Sequence, residues 1–191
     1  MTFFQILMLG ASAFFAFRIY QHIQTLQDLP KASQTNGSSF DPSMLIAKAD
    51  IAVQESRFQD ALELLKEADA KDQNNAQTLF KLGFVSSAVG GVNEAIAYYQ
   101  NSLKIDNNDE FVHNALASQY RKVGKFEEAQ GHLQDSLAID GDNAVTHYNY
   151  GNLLVDMGDI EKARKSYENA IAIDSSFAQA HEELKRLGEA K

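Results

Sequence analysis

The chain has 191 residues, of which 45% are apolar and 23% charged, so it can bury a real core, and its formal net charge is −9. It has no cysteine, which excludes disulfides, thiolate metal sites, cysteine nucleophiles and a lipid-modified N-terminal cysteine. The first forty residues carry Arg18 and Lys31 against Asp28. The rest is therefore more acidic still, and it lacks the clustered cations that would release counterions from nucleic-acid phosphates.

Residues 1–29 read as a membrane helix with an amphipathic extension. From Phe3 to Phe17 the only polar side chains are Gln5 and Ser12, and with Ile19 and Tyr20 the stretch is just long enough to cross a hydrocarbon core. A cleaved signal peptide is the rival, since Ala11-Ser12-Ala13 has the small-x-small form. Against it, no Lys or Arg precedes the apolar run and apolar residues continue past the cut. Arg18, His22 and Lys31 follow the span, so the positive-inside rule puts the remainder in the cytoplasm, as a single-pass protein of a bacterial-type inner membrane. Ile19, Ile23, Leu26 and Leu29 extend the helix with an apolar face until Pro30 stops it. Residues 30–41, almost without apolar content, read as a flexible tether.

From Pro42 to Phe177 four copies of a 34-residue pattern run without a gap, at 42–75, 76–109, 110–143 and 144–177. Ala61, Ala95, Ala129 and Ala163 share the twentieth place, and Asp72, Asp106, Asp140 and Asp174 the thirty-first. The eighth place is small (Ala49, Gly83, Ala117, Gly151), and the twenty-fourth is Leu or Tyr (Leu65, Tyr99, Leu133, Tyr167). This pattern resembles the tetratricopeptide repeat (TPR). The resemblance implies an all-α, right-handed superhelical solenoid of four helix pairs, each a helix A and a helix B.

Gly90, Gly124 and Gly158 mark the A-to-B turns, with Ser56 at that place in the first copy. Phe58, Val92, Phe126 and Ile160 are expected to fill the A–B seam. Lys48 and Lys71 replace the apolar residues of the later copies, which fits a capping first repeat, and residues 178–191 read as a C-terminal capping helix. The family's Pro at the thirty-second place is replaced by Gln73, Asn107, Gly141 and Ser175, leaving helix ends to Asp and Asn turn chemistry.

The resemblance also implies a concave face lined by helix A places two, five, nine, twelve and thirteen, where extended or helical peptides bind. In this chain those places supply Phe80, Phe84, Phe111, Asn114, Ser118, Arg121, Lys122, Tyr148 and Asn152 as candidate groove residues. Aromatic side chains and Arg dominate many interfaces, and Asn can hydrogen-bond a peptide backbone. The groove suits a protein or peptide partner with apolar anchors and an acidic group. The aromatics have a packing reading too, and Arg121 and Lys122 have one as a solvated face near Glu127 and Glu128. The carboxylate-clamp subfamily needs Lys and Arg where this chain has Phe111 and Ala115, so that reading fails.

His113, His147 and His181 share the fourth place of successive A helices. Stacked helices about 8–10 Å apart do not bring equivalent places to one ion, so these read as packing residues. Asp140-Gly141-Asp142-Asn143 starts like a calcium loop but has Val145 where the loop needs Gly. No phosphate loop, metal-ligand helix signature or nucleophile elbow is present. The sequence thus predicts a non-enzymatic module without cofactor or metal: a membrane-tethered scaffold, with an extracytoplasmic chaperone-like holder of maturing polypeptides and a self-assembling module as alternatives.

Overall fold

The computed structural model describes residues 41–189, and all the regular structure among them is helical. The apolar N-terminal stretch and the tether lie outside the described residues except for Asp41. No described helix is long and apolar enough to cross a membrane. Four helix pairs follow in order: α1 (Pro42–Gln54) with α2 (Phe58–Lys71), α3 (Ala76–Ala88) with α4 (Val92–Ile105), α5 (Glu110–Lys122) with α6 (Phe126–Ile139), and α7 (Ala144–Asp156) with α8 (Ile160–Ile173). A ninth helix, α9 (Ala178–Glu189), packs on α8.

Asx chemistry sets the start of every A helix. Asp41, Asn75, Asp109 and Asn143 sit at the N-caps of α1, α3, α5 and α7, and each side chain accepts a hydrogen bond from a backbone N–H of the first turn. A cap of this kind contributes about 1 kcal/mol. One turn earlier Asp106, Asp140 and Asp174 accept from the N–H two residues on, at Asn108, Asp142 and Ser176. These local bonds close the B-to-A turns without proline. At the A-to-B turns Gly90, Gly124 and Gly158 have φ of +88°, +75° and +81°. Ser56 is held at +59° in the first copy, in a region that L-residues enter at a cost.

The core alternates between two ways of filling the A–B contact. In the second and fourth repeats a glycine on helix A meets a fully buried tyrosine on helix B: a Cβ on Gly83 would lie 2.5 Å from a Tyr99 ring carbon, and one on Gly151 equally close to Tyr167. In the first and third repeats the same places hold Ala49 with Leu65 and Ala117 with Leu133, all buried. The extra volume of the ring is matched by the missing methyl. Each fully buried Leu contributes about 1.5–3 kcal/mol relative to exposure.

The seam differs from expectation at one end. Phe58 and Phe126 pack on the core and Val92 is half-buried, but Ile160 is 37% exposed. In the first repeat Lys48 and Lys71 are exposed among the described residues.

Candidate peptide-binding groove

The A helices lie side by side, α3 against α5 and α5 against α7, and side chains one repeat apart join them. Lys81 Nζ meets both oxygens of Asp50, at 2.5 and 2.6 Å, with both side chains largely buried. Ser87 Oγ donates to Gln119 Oε1 at 2.9 Å. Arg121 pairs with Asp156 at 2.8 Å. A row of polar links therefore runs along the helix A face from the first repeat to the fourth.

The candidate residues divide by what already holds them. Phe80 and Phe84 are half-buried and line a recess with Asp50, Val53, Gln54 and Lys81. Phe80 also leans on Tyr99 at 5.8 Å between ring centroids, and Phe84 packs on the core shared by the first and second repeats. Phe111 is 38% exposed at the start of α5. Ser118 is half-buried on the same helix. Tyr148 is half-buried between Tyr167 and Phe177, with centroids 5.8 and 5.2 Å away, and burial raises its pKa.

Two of the amides are already engaged inside the protein. Asn114 is 4% exposed; its amide N–H donates to Thr146 Oγ1 at 2.7 Å, and its carbonyl accepts from Asn149 at 2.6 Å. Asn152 accepts from the Tyr167 hydroxyl at 2.8 Å. Asn114 binds repeat three to repeat four, and Asn152 holds α7 to α8.

The cationic pair is likewise unequal. Arg121 is neutralised by Asp156, whereas Lys122 donates to the uncharged Ser87 Oγ and Gln119 Oε1 at 3.1 and 3.2 Å. The residue as a whole is exposed, but burial around its ammonium, with the Arg121 charge beside it, lowers its pKa. The third repeat thus presents one cation rather than two to an acidic ligand. Sequence reasoning missed the Lys81–Asp50 bridge and the Asn149 link; in both, residues about one period apart join neighbouring A helices, a spacing that the repeat register makes visible.

The fourth-place histidines share one contact. His113, His147 and His181 each bring Nε2 to a carbonyl oxygen six residues back, at Asn107, Gly141 and Ser175. Those carbonyls belong to the thirty-second place of the preceding repeat, so the imidazole braces the turn that proline would stiffen.

Among curated proteins, none matches the chain by overall sequence. Of the solved structures, MamA is 26% identical with a TM-score of 0.67, over 74% of this chain and 82% of that one. YrrB, a TPR protein with an unusual peptide-binding site, is 20% identical with a TM-score of 0.69, over 78% and 76%. The first TPR of Spaghetti (RPAP3) bound to HSP90 peptide SRMEEVD is 23% identical with a TM-score of 0.58, over 60% and 91%. Two models described as tetratricopeptide repeat match residues 52–118 and 108–176, together more than half of the chain. With the phased places, the four helix pairs and these matches in agreement, the chain belongs to the tetratricopeptide-repeat family.

Proposed function

We propose that the protein is a protein–protein interaction module that holds an extended or helical peptide of its partner along the helix A face, and that its N-terminal stretch tethers it to a membrane. The observation that carries the peptide reading is the recess at Phe80 and Phe84, with Phe111 exposed at the start of α5 and Lys122 at its end, the latter bonded to Ser87 of α3. Apolar anchors packed against such aromatic side chains supply most of the binding energy of a peptide interface, and Lys122 suits one acidic group. YrrB and the Spaghetti repeat share the fold, and the peptide-binding site of the one and the bound peptide of the other support a peptide ligand here. No group arrangement on this face suggests catalysis, and a non-enzymatic role is part of the proposal.

Tethering raises the local concentration of a membrane-bound partner and makes a second contact effectively intramolecular. On the charge pattern around Arg18 the repeats would face the cytoplasm of a bacterial-type cell. Fusions at the C-terminus to a fluorescent protein that matures in the cytoplasm, and to a phosphatase active only after export, test this. Phosphatase activity without fluorescence would turn the reading toward the extracytoplasmic holder of maturing polypeptides.

The groove is tested by selecting ligands from a random peptide library displayed on phage. The expected outcome is a family of peptides with spaced apolar residues and a carboxylate, whose binding weakens at least about tenfold in Phe111→Ala. Phe111 is the most exposed of the three aromatics, and Phe80 and Phe84 pack on the core. Selected peptides that bind Phe111→Ala and Phe84→Leu as tightly as the parent would refute the assignment.

A further inference from the structure

The histidine contacts across the third repeat, rather than along the stack, bring three potential metal ligands together. His113 on α5 faces His132 on α6 with their Nδ1 atoms 3.0 Å apart. Asp135, three residues beyond His132 on the same face of α6, brings Oδ2 to 3.6 Å from His113 Nδ1. One ligand atom from each of the three lies within 4.8 Å of the others. On a tetrahedral zinc ion with bonds of about 2.0–2.2 Å, ligand atoms stand roughly 3.3 Å apart. The two measured separations bracket that value.

The protein also orients the rings as a metal site requires. The Asn107 carbonyl, 3.3 Å from His113 Nε2, can only accept, so Nε2 carries the proton and Nδ1 presents its lone pair toward His132 and Asp135. A ligating histidine that donates its other N–H to a backbone carbonyl is the usual outer-shell arrangement around a bound metal. His132 is held by stacking on Tyr120, with centroids 5.6 Å apart and planes within 4°. On the other side, an open depression lined by Leu103, Asn107, His113, Asp135, Ala138 and Ile139 gives solvent access to the cluster.

The cluster is not a consequence of the repeat. His147 has the same place and the same carbonyl contact as His113, but the residues corresponding to His132 and Asp135 are Ser166 and Asn169 in the fourth repeat. In the second repeat the three places hold Leu79, Tyr98 and Asn101, and in the first Leu45, Leu64 and Glu67. A role in turn bracing accounts for His113 alone and leaves His132 and Asp135 unexplained.

We infer that His113 Nδ1, His132 Nδ1 and a carboxylate oxygen of Asp135 form a binding site for one divalent transition-metal ion of the zinc class, with water in the fourth position. His132 exchanges its bond to His113 for one to the ion by carrying its proton on Nε2 instead of Nδ1. Two imidazoles and one carboxylate suit zinc, cobalt, nickel or copper rather than magnesium or calcium, which take oxygen ligands. The ion would join α5 to α6 within one repeat, through residues distinct from those of the groove.

The test uses the full-length, tag-free protein stripped of metal. Cobalt(II) titration is expected to give the intense visible absorption of a four-coordinate ion at one equivalent per chain, bleached by zinc. Zinc affinity, measured by competition with a chromophoric chelator, should fall at least about tenfold in Asp135→Asn and in His132→Gln, and be unchanged in His147→Gln. Asp135 is exposed, so the melting temperature of metal-free Asp135→Asn should match the parent and separate lost binding from lost folding. A cobalt spectrum no different from that of the hydrated ion would overturn the inference. So would a zinc affinity that Asp135→Asn and His132→Gln leave unchanged, or that His147→Gln lowers equally, and the His113–His132 contact would then be an ordinary imidazole hydrogen bond.

Discussion

Gly83→Ala should destabilise the protein although it replaces glycine by the best helix former in the middle of a helix. In an exposed helix the change would stabilise by about 1 kcal/mol. Here the new Cβ would lie 2.5, 2.6 and 2.9 Å from three carbons of the Tyr99 ring, roughly 1 Å inside ordinary carbon contact at about 3.5 Å. Tyr99 is 2% exposed and packs among Ala95, Leu116 and Ala115, so the ring has nowhere to retreat. Overpacking of this kind costs about 1–3 kcal/mol, leaving a net loss of about 1 kcal/mol, or about 2–4 °C in melting temperature for a domain of this size. Tyr99→Leu alone should cost about 2–4 kcal/mol through the cavity it opens. The double variant recreates the Ala49–Leu65 pairing, so its loss should fall short of the sum of the singles by at least about 1 kcal/mol. Thermal and urea melts of the four proteins, followed by circular dichroism, measure this coupling. A stabilised Gly83→Ala, or strictly additive losses, would refute the account of the core.

Ser56→Gly should stabilise by about 0.5 kcal/mol, because it relieves the cost of φ +59° but adds freedom to the unfolded chain; equilibrium urea melts report the gain. Lys81→Met strands the largely buried Asp50 carboxylate and should cost about 2–4 kcal/mol, with part recovered when Asp50→Asn is added, as a double-mutant cycle will show. Asn114→Ala leaves Thr146 and Asn149 without their shared partner and should cost about 1–3 kcal/mol. Its loss should appear in hydrogen exchange as faster amides in α7 ahead of those in α1, since a solenoid uncouples at the weakened interface between repeats.

Backbone features were the most legible in the sequence. Gly90, Gly124 and Gly158 announce the A-to-B turns because a left-handed φ leaves glycine as the unstrained choice, and the Asx residues announce the caps for a similarly local reason. Packing was half legible. Small residues at the eighth place and Leu or Tyr at the twenty-fourth both stand in the sequence, but that Gly goes with Tyr and Ala with Leu is a statement about shared volume, visible only when the two helices meet. The groove was least legible. The TPR resemblance assigns Asn114 and Asn152 to the concave helix A face, yet their hydrogen bonds go to Thr146, Asn149 and Tyr167. Repeat register ranks places by face and leaves open whether a polar side chain meets a ligand or the next repeat. The His113, His132 and Asp135 cluster is hidden in the sequence for a related reason: it crosses from helix A to helix B inside one repeat, at places that are not equivalent along the array.

The central claim is that the helix A face is the binding surface. Amide chemical shifts of isotope-labelled protein, titrated with the tightest peptide from the library selection, test it most directly. The account predicts that the largest changes fall on α3 and α5, around Phe80, Phe84, Phe111, Ser118 and Lys122, with residues of α2 and α8 unmoved. Changes centred on the B helices, or on α9, would contradict it.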